Sequence, residues 1–204
     1  MPHQRPELIA QVLRAYPPVS ADSPRRQPTG DPPDLPPDIQ TLIEGAGYGK
    51  LADGLFELVR PTEYAAAYAA FFGGDAQGRA VWLLNAFGEL VTVKAISPRE
   101  QEFAILRPYG PQLEVLGYHA ADVLERVLLT DDGLRSVVNL PLFRQLHQRL
   151  GRLREGQVYG FDPDLLRQER ERDPERPVRA DASWFEVVDA GEHLGLLLVR
   201  AGEE

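Results

Sequence analysis

The period of the apolar positions changes several times along this chain, and each change marks an element. Between Glu7 and Ala15, Leu8, Ile9, Val12 and Leu13 recur at helical spacing and predict a short amphipathic helix. A helix this short is marginal in isolation, so it is expected to dock on the chain's own core. The stretch from Tyr16 to Pro37 has little apolar content, and ten of the 18 prolines fall within the first 37 residues, which predicts an extended connector. Ile39, Leu42 and Ile43 then indicate a helix ended by Gly45-Ala46-Gly47-Tyr48-Gly49. Leu51 to Val59 reads as one strand entered through the Asp53-Gly54 turn, with Leu55 alternating against Glu57. Pro61-Thr62-Glu63 opens a helix whose aromatic face is Tyr64, Tyr68, Phe71 and Phe72, and Gly73-Gly74 stops it.

A meander follows. Ala80 to Ala86 and Leu90 to Ala95 read as a strand and its return around Phe87-Gly88-Glu89, and Glu102 to Leu106 and Leu113 to Leu116 as two more strands. Beyond it the pattern turns helical. Ala120 to Leu129 carries Val123, Leu124, Val127 and Leu128 on one face, and Thr130-Asp131-Asp132-Gly133 is expected to terminate it. Asn139 caps a helix bearing Leu142, Phe143, Leu146 and Leu150, ended by Gly151. Tyr159 to Pro163 reads as a rigid turn, and Arg167 to Arg179 as a mixed-charge loop or frayed helix end. Trp184 to Val188 is expected as a strand or buried segment, and Glu192 to Val199 as a closing helix. The order predicts an α+β fold: an antiparallel sheet with helices packed on one face, followed by a smaller, mostly helical part. The chain divides accordingly into a helix and Pro-rich linker (1–37), an α+β domain (38–117) and a mostly helical domain (118–204).

Composition removes function classes. With 31 acidic against 22 basic residues the net charge is −9, which argues against direct nucleic-acid binding and suits a basic protein partner. There is no cysteine, so disulfides, thiolate metal sites and cysteine nucleophiles are excluded. No apolar run approaches a membrane span, and the N-terminus lacks the apolar core of a signal peptide, so a cytoplasmic protein is expected. Arg far outnumbers Lys, present only at Lys50 and Lys94, and reads as a coding bias.

Candidate chemistry is sparse in the sequence. Gly45-x-Gly47-x-Gly49 follows a helix and precedes a strand, the reverse of a phosphate-binding context, and reads as a helix stop. None of His3, His119, His147 and His193 stands at zinc-ligand spacing from another, and no G-x-S-x-G elbow surrounds a serine. Carboxylate pairs such as Asp131-Asp132 and Asp162 with Asp164 read as solvated turns. No catalytic residue, cofactor or metal is therefore expected.

One string does carry a resemblance. Gly49-Lys-Leu51-Ala-Asp53-Gly54-Leu-Phe56-Glu-Leu58-Val-Arg-Pro61-Thr-Glu63-Tyr64 resembles the opening of the GAD-like domain of bacterial type VI secretion immunity proteins. In the same order, Phe87-Gly88-Glu89 resembles that family's hairpin, Leu150-Gly151-Arg-Leu153 through Tyr159-Gly160-Phe161-Asp-Pro163 its L-G-x-L and Y-G-F-x-P signature, and Glu192-His193-Leu194 its final segment. The resemblance covers about residues 38–199 and implies an α+β protein that binds and blocks a cognate toxin, often a nuclease. For such a partner the acidic contact face is expected to use Glu89, Asp131, Asp132 and Glu155, because an acidic inhibitor is steered into a basic nucleic-acid groove. A general interaction module of the SMI type, and a hydrolase whose carboxylates meet only in the fold, stand as alternatives.

Overall fold

The N-terminal helix α1 (Arg5–Ala15) has Glu7 in its first turn and Arg14 in its last, both favourable to the helix dipole. Its Ile9 and Val12 are buried, a gain of about 2 kcal/mol for each side chain. That burial fixes a helix too short to persist alone, and it does dock on the chain's own body. The structure, a computed structural model, describes residues 5–19, 35–72, 78–97, 100–109, 112–172 and 180–201. Most of the Pro-rich connector lies outside these residues. Its described start, Tyr16 to Val19, is tied down: the Tyr16 hydroxyl donates to the Leu128 carbonyl, and its ring meets Phe56 edge-on at 5.3 Å.

Helix α2 (Pro37–Ala46) opens with proline at its first turn, buries Ile39, Leu42 and Ile43, and ends at Gly47, within the glycine cluster expected to stop it. The next segment departs from the sequence reading. Leu51 to Val59 is not one strand; it belongs to a hairpin of β1 (Gly49–Leu51) and β2 (Phe56–Leu58) reversing through Ala52–Gly54. Asp53-Gly54 is the reversal, with Ala52 and Asp53 both at positive φ. Glu57 does not alternate outward either, being 2% exposed. Helix α3 (Ala65–Phe72) starts later than expected, because Arg60 to Glu63 forms a turn first, with the Glu63 N–H donating to Arg60. Tyr64 and Tyr68 are buried as its aromatic face requires; the Gly73-Gly74 stop lies outside the described residues.

The meander forms as read: β3 (Arg79–Asn85), β4 (Leu90–Ser97), β5 (Glu100–Arg107) and β6 (Gln112–Gly117). All six strands make one antiparallel sheet in sequence order, which establishes the α+β class. Alternating side chains separate its two faces. Phe56, Leu58, Leu83, Val91, Val93, Phe103 and Ile105 share one core with α1 and α2. Val59, Val81, Leu84, Leu90 and Leu106 share a second with α3 and with elements from the end of the chain.

The helical part brings three corrections. Ala120 to Leu129 is a helical turn, α4 (Ala120–Asp122), continuing as a wide π-helical segment (Val123–Leu128). Thr130 to Gly133 does not terminate it but begins α5 (Asp131–Val137), where the Thr130 hydroxyl caps the Gly133 N–H at 3.0 Å. Gly133 is glycine for space: a Cβ there would lie 2.6 Å from the Cα of Val127. Helix α6 (Leu140–Leu150) is capped by Asn139 and ends at Gly151, as read. Tyr159 and Gly160 are not a turn; they end β7 (Gln157–Gly160), which pairs with β8 (Glu186–Asp189) in a second small sheet. Between these strands lies α7 (Asp164–Arg172), so the mixed-charge run read as a loop or frayed helix end is helical from Arg167 to Arg172, the rest of it lying outside the described residues, and α8 (Ala190–Ala201) closes the described chain. Val158 of β7 with Ala190 and Leu194 of α8 complete the second core, so the last third of the chain helps build both.

Candidate functional site

The four acidic residues expected to form a contact face occupy different environments. Glu89 is an internal group: its carboxylate is 16% exposed, lies 2.7 Å from the Arg107 guanidinium and accepts from the Asn85 amide. Burial pushes its pKa up, against the lowering pull of Arg107. Asn85, fully buried, organises this turn through its side chain, accepting from the N–H groups of Phe87 and Glu89 and donating to Val137. Asp131 and Asp132 stand exposed in the first turn of α5, Asp132 facing Arg135 at 3.5 Å. Glu155 is half-buried in the approach to β7, where its charge acts on Lys50.

Lys50, to which the sequence reading gives no role, and Glu57, read as a residue of the Leu51–Val59 strand, form a buried ion pair at 2.7 Å with exposures of 4% and 2%. Lys50 also donates to the Gln157 carbonyl at 2.6 Å, and Glu57 accepts from the Gly156 N–H. Burial lowers the Lys50 pKa, while Glu57, Glu155 and Glu63 act to raise it. The pair clamps the first hairpin onto the strand β7, far away in sequence.

A second node gathers the motif residues. His193 of α8 is 5% exposed, and its Nε2 shares a hydrogen bond of 2.5 Å with the Tyr109 hydroxyl. Tyr109 stacks on Phe161 with ring centres 4.4 Å apart and planes within 3°, and its hydroxyl accepts from the Phe161 N–H. The His193 ring lies directly over Gly160, where a Cβ would stand 2.8 Å from Cε1 and 2.6 Å from a Val188 methyl. Gly88 of the hairpin faces the same ring from another side. Thus the F-G-E hairpin, the Y-G-F segment and the E-H-L segment meet at one imidazole. Desolvation pushes His193 down and Tyr109 up, so burial favours the neutral form of both. The arrangement orients and packs. Sequence reasoning missed Tyr109, which sits in the Arg107–Pro111 connection and carries no spacing signal.

An open, partly apolar groove lies at the far edge of the sheet. Ile96, Leu116, Tyr118, His119, Asp122 and Arg126 line a groove of about 680 Å³ beside β6, with Glu100 at its side. Ile96 and Tyr118 are each about half exposed, as is Val115. Asp122 is held by Arg126 at 3.7 Å. Among the described residues no three His, Asp or Glu side chains cluster as a metal site, and no helix is long and apolar enough to cross a membrane.

No protein-family model matches the chain, and no curated protein matches it. The fold is similar to the crystal structure of Atu4351 from Agrobacterium tumefaciens, at 17% sequence identity and a TM-score of 0.64, over 91% of this chain and 86% of that one.

Proposed function

We propose that this chain is a non-catalytic, acidic binding protein of the immunity type, acting in the cytoplasm, that neutralises a cognate bacterial toxin by direct contact. The observation that carries the reading is the convergence at His193. Pieces that prompted the resemblance from separate parts of the sequence share one packed node: Gly88, Gly160, Phe161 and His193. Chance matches scattered along a chain have no reason to meet in space. The node is an enclosed packing unit, so in this reading the motifs set the shape of a scaffold and the partner meets other residues.

The exposed Asp131 and Asp132, on a chain of net charge −9, are the proposed contact residues. Glu89 is spent on Arg107 and contributes through the turn it stabilises. A nuclease toxin is the target class that fits best, because its basic groove attracts an acidic inhibitor that competes with phosphate. The partner is a protein, with no nucleic acid or membrane contacted directly.

The test is co-expression with the toxin-like product of a neighbouring gene. Growth should be rescued, and a D131K/D132K variant should rescue less well and bind roughly tenfold more weakly, as reversal of steering charges does. If no neighbouring product is toxic, or the purified chain neither rescues nor binds it, the reading fails.

A further inference from the structure

Helix α5 carries the proposed contact residues Asp131 and Asp132, and at seven residues it is too short to hold a position by itself. Its place is set from both ends. At the start, the Thr130 hydroxyl caps the Gly133 N–H, and Gly133 lies so close to the preceding segment that a Cβ would stand 2.6 Å from the Cα of Val127. At the other end, the last carbonyls of a helix lack a partner within it. Here Asn85 donates to the Val137 carbonyl at 2.6 Å, and Arg107 Nη2 donates to the Ser136 carbonyl. The guanidinium also suits the negative end of the helix dipole. Both donors belong to the large sheet, at the end of β3 and the end of β5.

Glu89 ties the two donors together. One of its carboxylate oxygens accepts from the Asn85 amide, and the other accepts from Arg107 Nη1 at 2.7 Å. Each donor therefore holds Glu89 with one N–H group and the end of α5 with another. Arg107 Nη2 also meets Glu114 at 3.0 Å, a carboxylate half exposed to water. A guanidinium serves such divergent acceptors because its donors form a fixed planar fork, whereas an ammonium is a compact point charge. We propose that Glu89, Asn85 and Arg107 form the positioning group of the acidic contact face, holding the end of α5 and thereby the place of Asp131 and Asp132. The part this group plays in partner binding rests on the reading above; its hold on α5 does not.

Arg107→Lys separates the two duties, because it keeps a cation beside Glu89 and gives up the fork that also reaches Ser136. Amide hydrogen exchange should then quicken roughly tenfold at Leu134 and Val138, whose N–H groups are bonded at the two ends of α5, as loss of a hydrogen bond from a charged donor does. The Leu146 amide, buried in the middle of α6, should exchange at its original rate. Glu89→Gln retains an acceptor for Arg107 and should give the same pattern more weakly, which decides the matter if Arg107→Lys does not fold. Against the neighbouring-gene toxin, Arg107→Lys should weaken binding by the unmodified chain and have no further effect in D131K/D132K, the non-additivity of groups that act through one another. Unchanged exchange at Leu134 and Val138 in both variants overturns the proposal, as does equal acceleration at Leu146, the mark of a general loss of stability. Equal weakening of binding in both backgrounds also overturns it, because Arg107 then acts elsewhere. A chain that binds no toxin removes the binding reading alone, and the exchange rates still decide the hold on α5.

Discussion

Gly160 and His193 illustrate how much rests on single atoms in this protein. The imidazole occupies the space of an absent side chain, so Gly160→Ala forces the ring and Val188 apart. Overpacking of that kind costs about 1–3 kcal/mol, which urea unfolding of the variant should register as a lower midpoint. The same ring gives stability a pH dependence. Burial holds His193 below the ordinary histidine value of 6.5, so the unfolded chain binds its proton more readily than the folded one. This contribution is complete above pH 6.5 and is lost as pH falls through the window beneath it. Glu89 acts in the opposite sense: its pKa is raised above 4.5, so the folded chain takes up that proton first. A His193→Gln variant should therefore show a flatter dependence of stability on pH just below 6.5, measured by denaturant titration at several pH values. An unchanged slope would remove His193 as its source.

At the scale of elements, helix and strand positions were largely legible, because α1, α2, α6 and the meander each bury one periodic face. What escaped were features that depend on a partner distant in sequence. Lys50 looks like a surface residue in a three-residue strand; only its register opposite Glu57 and the approach of β7 place it inside. Glu89 looks like an exposed hairpin tip, yet pairing of Leu90 with Leu106 brings Arg107 alongside it. Thr130 to Gly133 resembles a helix stop, and the capping hydroxyl makes it a helix start. The Lys50–Glu57 clamp holds two distant elements together, and its removal is measurable. Lys50→Met leaves a buried carboxylate without its cation and should cost about 3–5 kcal/mol. A Lys50→Met/Glu57→Leu double variant should recover much of that loss, because the orphaned charge is gone. Thermal melts of the three chains measure the difference, and equal melting temperatures for single and double variants would refute the role given to the pair.

For the molecule as a whole, the sequence of distant motifs becomes one shape: a six-stranded sheet covered on both faces, closed from behind by β7, β8 and α8, with the motif residues packed at their junction. The candidate site was less legible than the fold. Of the four acidic residues chosen, Asp131 and Asp132 stand in solvent and Glu89 is enclosed, a division that rests on tertiary contacts and not on local pattern. The exposed acidity of this scaffold is what is proposed to engage a basic toxin. The most direct test is a calorimetric titration of the purified chain against the purified product of the neighbouring toxin-like gene, at low and at high salt. A saturable complex is expected, its association weakening as salt screens the charges. A titration without binding heat at either salt, or a complex indifferent to salt and to D131K/D132K, would contradict it.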